Sequence, residues 1–342
     1  MKRRALGASG LAVTELGFGG APLGNLFRPL ADETARATLA AARASGFGYF
    51  DTAPFYGFGL SERRLGDSLR RDALRGGDFI ISSKVGRLLE PVHGAIDATQ
   101  PRHGYVTPMP FEPVFDYSYD AVMRSYEESL QRLGLARIDI LYIHDIGRMT
   151  HGEDNDGYMA QLTDGGGLKA LEELRASGAI AGFGMGVNEV AACREVMDHA
   201  RLDVILLAGR YTLLEQAPLD ALFPACAAAG TAIVVGGPFN SGILATGAKA
   251  GAAATFNYES APRAVLEKAA AIEAVCDAHG VPLPAAALQF PLAHPLVASV
   301  IPGLDSPQRV EQATAWHGTP LPSALWSGLK EKKLLREDAP TP

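Results

Sequence analysis

The feature that most limits the fold is an alternation of short apolar strands with helical stretches, sustained along nearly the whole chain. Eight segments read as strands: Glu15–Gly20, Tyr49–Asp51, Phe79–Ser83, Ile138–His144, Ile180–Met185, Val204–Ala208, Thr231–Val235 and Val297–Ile301. Several are almost continuous apolar runs, the pattern of a strand covered on both faces. Helical spacing recurs between them, as in Val122, Tyr126, Leu130 and Leu133 ahead of Gly134. Asp32 is placed to cap the helix after the first strand and Gly46 to close it; Ser61 opens the next helix, and Pro307 sits in the first turn of a late one. Parallel strands need a crossover to reach their neighbours. Eight such units over about 300 residues predict an α/β chain closed as a (β/α)8 TIM barrel. A doubly wound sheet would carry fewer strands and a glycine fingerprint at its first turn. Gly7, Ser9 and Gly10 mark a turn, so Arg4–Val13 is expected to form a β-hairpin ahead of the barrel. One domain is expected over residues 1–342, with the Pro- and charge-rich tail after Glu331 frayed.

Composition narrows the function. Apolar residues make up 47 % of the 342 and charged ones 20 %, enough for a large core and unlike disorder, collagen or coiled coil. A net charge of −7 leaves no basic face for nucleic acid or anionic lipid. No apolar run approaches the roughly 20 residues of a membrane-spanning helix, and none follows the basic Met1-Lys-Arg-Arg4 as a secretory leader would require. Cys193, Cys226 and Cys276 are odd in number and far apart. They read as reduced core cysteines of a cytoplasmic protein, with neither a disulfide frame nor a metal site implied.

A barrel directs attention to the carboxyl ends of its strands. Long loops follow strands three, four and seven: Gly86–Tyr117 with its five prolines, Gly147–Gly167, and Gly236–Ser260. They are expected to gather over one face as a pocket or lid. Strand two ends at Asp51 and runs into Tyr56; strands three and four end in Lys84 and His144. Each residue alone has an ordinary explanation: a turn cap, rim packing, a snorkelling lysine, a satisfied core histidine. Together, at one end of one barrel, they are hard to explain that way.

The segments Phe50-Asp-Thr-Ala-Pro-Phe-Tyr56-Gly-Phe-Gly-Leu-Ser61-Glu62-Arg-Arg-Leu-Gly66, Ser83-Lys84, Ser129–Gly134 with Ile138–His144, Gly186-Val-Asn188, and Ile301-Pro-Gly303 with Arg309 resemble, in order, those of the aldo-keto reductase superfamily. The resemblance implies a barrel that binds NAD or NADP, with Asp51, Tyr56, Lys84 and His144 as its catalytic tetrad. Elementary electrostatics is consistent with those roles. A phenol ionises near pH ~10, a neighbouring lysine cation lowers that value, and a carboxylate keeps a desolvated lysine charged. Tyr56 can then pass a proton to or from the reacting oxygen while His144 orients it.

For the dinucleotide, the resemblance implies that Asn188 bonds the carboxamide, although Asn is also a good helix cap. Gly237, Pro238, Phe239, Asn240 and Gly242 are expected along the pyrophosphate, with Ile301, Gly303 and Arg309 towards the adenosine. Two departures stand out. Gly236 occupies a position where the family commonly stacks an aromatic ring, for which Tyr211 is the candidate substitute. Gly303, followed by Leu304-Asp305, stands where NADP-preferring members commonly carry lysine. Losing that cation predicts NAD as the preferred dinucleotide and NADP as a second option.

His144-Asp-Ile-Gly-Arg148-Met-Thr-His151-Gly, Gly165-Gly-Gly167 and Gly184-Met-Gly-Val-Asn-Glu189 resemble the aldose 1-dehydrogenase branch, to which pyridoxal 4-dehydrogenases and L-galactose dehydrogenases are close. This implies oxidation of the anomeric hydroxyl of an L-fucose- or D-threo-type aldose to the lactone. Phe55, Asp145 and Arg148 are the candidates on the substrate side, and the polar loop with His151, Glu153 and Asp154 suits a polyol. The partner is a small sugar or aldehyde, and the oligomeric state stays open. A Schiff-base lyase using Lys84 is disfavoured because Asp51 holds that lysine charged. A metal-dependent hydrolase built on His144, Asp145 and His151 lacks a His-x-His at an early strand end, and a sensor without turnover would not need four such residues.

Overall fold

Residues 1–97, 99–248 and 254–342 are described by the structure, a computed structural model. Eight short strands make one parallel sheet: β1 Phe18–Gly19, β2 Tyr49–Asp51, β3 Ile80–Val85, β4 Ile140–His144, β5 Gly182–Val187, β6 Val204–Ala208, β7 Ala232–Gly236 and β8 Val297–Ile301. Each pairs with its sequence neighbours. Parallel bridges from Leu16 to Val300 and from Gly19 to Gly303 bring β1 onto β8 and close the ring. This is the expected (β/α)8 barrel, with the hairpin Arg3–Ala5 and Ala12–Thr14 in front of it.

Side-chain volume explains how so short a ring closes. Leu6 and Val13 of the hairpin enter a core with Tyr49, Ile140, Tyr142, Val204, Leu206, Val234 and Ile301, so the barrel is filled rather than hollow. The Gly-x-Gly-x-Gly run of β5 is a packing device. A Cβ on Gly184 would lie 1.5 Å from the carbonyl oxygen of Val204, so any side chain there would push β5 and β6 apart.

Several local expectations are corrected. Asp32 begins its helix, Asp32–Ala44, but Ala31 holds the cap position without a side-chain bond; the Asp32 carboxylate instead accepts from Arg64 Nε at 2.9 Å. The first long loop carries an antiparallel hairpin, Arg87–Pro91 against Phe111–Phe115. The second is largely helical, with Arg148–His151 and Asn155–Leu162 joined by a 3-10 turn. The third holds short helical turns and a small hairpin, Thr255–Phe256 against Glu259–Ser260; its residues 249–253 lie outside the described residues. The tail after Glu331 is packed rather than frayed, because Leu335 and Ala339 are buried against the body. Cys193, Cys226 and Cys276 are buried and unpaired. No described helix is long and apolar enough to cross a membrane.

Candidate active site

Strand register decides which side chains meet. Asp51 lies opposite Ser82, Lys84 opposite Tyr142, and His144 opposite Gly186. Alternation along β3 sends Ser82 and Lys84 inward and Ser83 outward, where Ser83 donates to the buried Glu62 carboxylate at 2.7 Å. Lys84 Nζ donates to Asp51 Oδ2 at 2.7 Å and to the Thr52 carbonyl at 2.8 Å. The other carboxylate oxygen accepts from Ser82 at 2.7 Å. Ser82 in turn meets Tyr49, which meets Tyr142, so Asp51 rests on a chain of hydroxyls inside the barrel. Gly186 leaves room for the lysine stem: a Cβ there would stand 3.3 Å from Lys84 Cε.

Tyr56 and His144 complete the cluster. The Lys84 ammonium lies 4.7 Å from the centre of the Tyr56 ring, and that ring meets the edge of His144 at 5.8 Å. Phe55, Tyr56, Lys84, His144, Asp145 and Asn188 line one pocket at the carboxyl ends of the strands. The structure therefore brings together all four expected tetrad residues and two of the three expected substrate-side residues. Arg148 is not among them. It is exposed, paired with Asp156 at 2.5 Å, and turned away by its helix. Glu153 and Asp154 are likewise on the surface, and His151 is packed against Tyr117, Phe115 and Tyr158 behind the pocket.

The electrostatics corrects one expectation. Burial lowers the Lys84 ammonium and raises the Asp51 carboxyl, and their mutual attraction opposes both shifts. Tyr56 is not acidified. Burial lifts its phenol well above 10, and the Asp51 charge lifts it further. The reason is geometric: the lysine charge is already taken up by Asp51 and the Thr52 carbonyl, and Lys84 sits over the ring face. His144 is held well below 6.5, first by burial and then by the cations Arg87 and Lys84, against the opposing pull of Asp145. It is a neutral imidazole at neutral pH. Burial would raise the Asp145 carboxyl, but the Arg87 guanidinium that donates to it favours the ionised form, and Asp145 stays ionised.

Comparison with known proteins accounts for the arrangement. The model of the aldo/keto reductase family matches residues 15–333. The chain belongs to the aldo/keto reductase family. It is 44 % identical over 340 residues to a pyridoxal 4-dehydrogenase of Microbacterium luteolum, covering 98 % of each chain. It is 40 % identical to a D-threo-aldose 1-dehydrogenase of a Pseudomonas species, covering 99 % of this chain and 98 % of that one. Among solved structures, the holo form of the aldo-keto reductase AKR11C1 from Bacillus halodurans superposes with a TM-score of 0.73 at 26 % identity, covering 98 % and 97 %. The protein is thus an aldo-keto reductase, an oxidoreductase of a family that works with a nicotinamide dinucleotide.

This chain's residues fit such a group. Beside Tyr56 and His144 the pocket is floored by Gly186, Val187, Leu206 and Ala208, small or apolar side chains against which a flat ring can lie. Asn188 borders that floor, and its amide has no hydrogen-bond partner among the described residues; the helix that follows is not capped by it. Gly237 and Gly242 adopt positive φ in the turn after β7, leaving backbone open on the aldo-keto reductase's mouth. Asn240 donates to the Gly209 carbonyl, and its buried Oδ1 lacks a partner. Pro238 is buried and Phe239 packs on Trp316, so these two shape the turn. Ile301 is buried in β8, Gly303 is exposed, and Arg309 lies on the helix Pro307–His317. Tyr211 does not replace the missing aromatic at Gly236: it is fully buried against Phe223 and Phe290.

Other pocket residues were not legible in the sequence. Phe27 and Tyr258, on different loops, meet at 5.9 Å across the mouth, and His103 and Tyr105 come from the loop after β3. Arg87, at the base of that loop's hairpin, donates to Asp145 at 2.9 Å. Aromatics inside otherwise polar loops were the available signal for Tyr105 and Tyr258.

Proposed function

We propose that this aldo-keto reductase oxidises the ring hydroxyl of a cyclic hemiacetal to a lactone, its substrate being an aldose of the L-fucose or D-threo type and its acceptor NAD. The observation that carries the reading is the placing of a neutral His144, an ionised Asp145 and the Tyr56 phenol around one pocket. That set offers a hydrogen-bond donor, an acceptor and a proton-exchanging hydroxyl to a polyol. Similarity to a D-threo-aldose 1-dehydrogenase over almost all of both chains supports it.

In this reading His144 donates to the reacting oxygen and Tyr56 exchanges its proton. Lys84, fixed by Asp51, anchors the Tyr56 ring. A bound oxidised nicotinamide supplies the hydride acceptor and a positive charge that favours the phenolate. In its absence burial keeps the proton on Tyr56.

NAD preference rests on Asp305. Its carboxylate takes both nearby cations, Arg28 through one oxygen and Arg309 through the other at 3.0 Å. Neither guanidinium is then free to meet a 2′-phosphate, and the carboxylate itself repels one. Three buried free thiols suit a reducing cytoplasm.

A second reading follows from the aromatic lining of Phe27, Phe55, Tyr105 and Tyr258 and from the 44 % identical pyridoxal 4-dehydrogenase. Pyridoxal also closes to a cyclic hemiacetal, so the two substrates share the reacting group. The test is a panel of L-fucose, D-arabinose, L-galactose and pyridoxal, each with NAD and NADP, followed by the absorbance of the reduced dinucleotide. Oxidation of the sugars with NAD supports the first reading, and response to pyridoxal alone replaces it with the second. If no hemiacetal were oxidised, the proposal would be wrong.

A further inference from the structure

We propose that Asp145, held in place by Arg87, is the specificity element of this site, its carboxylate accepting a hydrogen bond from the substrate hydroxyl next to the reacting carbon; the proposal rests on the lactol reading above and adds a role to it. Asp145 leaves β4 with φ +50, a left-handed conformation that a residue with a side chain rarely holds without cause. Its N–H donates to the Gly186 carbonyl at 3.0 Å, which fixes the turn. As a result the carboxylate folds back beside the imidazole, with Oδ2 3.5 Å from His144 Nε2.

Arg87 holds it there. The guanidinium is buried and lies between two rings, 4.1 Å from the centre of Phe55 and 4.5 Å from that of Phe115. Its Nη2 donates to the same Asp145 oxygen at 2.9 Å, whereas Nη1 is buried without a hydrogen-bond partner. An ion pair serving stability alone would satisfy both nitrogens, because an unpaired buried donor is costly. This pair leaves one unsatisfied and instead fixes a carboxylate in the wall of the pocket.

The imidazole and carboxylate then work as a unit. A neutral histidine facing a carboxylate keeps its proton on the facing nitrogen, Nε2; Nδ1 is buried and unpartnered. The pocket wall thus presents a donor, His144 Nε2, and an acceptor, Asp145 Oδ2, side by side 3.5 Å apart. Two oxygens on adjacent carbons match that pair. The Tyr56 ring packs on His144, which sets the orientation: the reacting oxygen sits between Tyr56 and His144, and the hydroxyl of the next carbon reaches Asp145. A simple alcohol or aldehyde displaces water from the carboxylate without replacing its hydrogen bond, so it is rejected.

The test compares L-fucose with 2-deoxy-L-fucose in the wild type, Asp145→Ala, the double variant Arg87→Met/Asp145→Leu, Arg87→Met and Arg87→Lys. The double variant guards against a fold lost to an unpaired Arg87, since it removes both charges together. In the wild type, the 2-deoxy sugar should lose roughly 100-fold in kcat/KM. In Asp145→Ala and the double variant, L-fucose should fall to the same level, with the 2-deoxy sugar within about threefold of it. Arg87→Met should lower the ratio between the two sugars, and Arg87→Lys should restore part of it, while NAD affinity measured by protein fluorescence stays unchanged in all. A ratio that is the same in every variant would overturn the role of Asp145 and leave the lactol reading standing. Failure of the wild type to oxidise either sugar would overturn both.

Discussion

Replacing Asp51 with Asn isolates the charge at the centre of the site. The amide has the shape of the carboxylate and can keep both contacts: Oδ1 accepts from Lys84, and Nδ2 donates to Ser82, whose hydroxyl can turn to accept. What is lost is the counter-charge 2.7 Å from a lysine only 1 % exposed. Breaking a buried ion pair on one side costs about 3–5 kcal/mol. The Thr52 carbonyl still accepts from Lys84, so the lower end, about 3 kcal/mol, is expected. With an unfolding entropy of roughly 2 cal/mol/K per residue, that is a fall in Tm of about 4 °C for a chain of this length. The double variant Asp51→Asn/Lys84→Met buries no unpaired charge and should recover more than half of the loss. Burial already lowers Lys84 from 10.5, and without Asp51 it falls further. The native state then releases a proton that the unfolded chain still holds, so stability rises with pH between the lowered folded value and 10.5. The Asp51→Asn deficit, measured by thermal or urea unfolding, should therefore shrink from about pH 7 to about pH 10. Strictly additive losses in the double variant, or a deficit independent of pH, would show that the pair is not coupled and refute this electrostatic account.

Other consequences are as direct. Tyr56→Phe should lower kcat by roughly 10²- to 10⁴-fold with dinucleotide affinity kept within a few-fold, as read by fluorescence titration. Asp305→Asn frees Arg28 and Arg309 and should raise the NADP-to-NAD ratio of kcat/KM by about tenfold, on the order of 1.4 kcal/mol; an unchanged ratio would remove Asp305 from cofactor choice. His144 is neutral in the fold and its pKa is depressed below 6.5, so its contribution to stability is complete above 6.5 and is lost as pH falls towards the folded value. His144→Gln should flatten the loss of stability on acidification below pH 6.5, visible as a smaller fall in Tm.

The amino-acid sequence by itself determined the barrel and set Asp51, Lys84 and His144 at the ends of its strands. Apolar runs bounded by turn residues are local signals, and once eight of them alternate with helices the chain closes in one way. Asp51, Lys84 and His144 end three such runs, so their convergence follows from the barrel. The loops did not follow in the same manner. Asp145 and Arg148 lie three residues apart, yet one faces the pocket and the other pairs with Asp156 at the surface. Asn188 could have capped a helix or lined the site, and only the packed structure shows that it does the second. Tyr105 and Tyr258 reach the pocket from segments without periodicity, and Arg87 backs its wall through Asp145, because a loop's direction is set by contacts distant in sequence. Tertiary structure also set the sign of the Tyr56 shift. A sequence places an ammonium near a phenol, but desolvation and the prior claim of Asp51 on that charge exist only once the chain has folded around them.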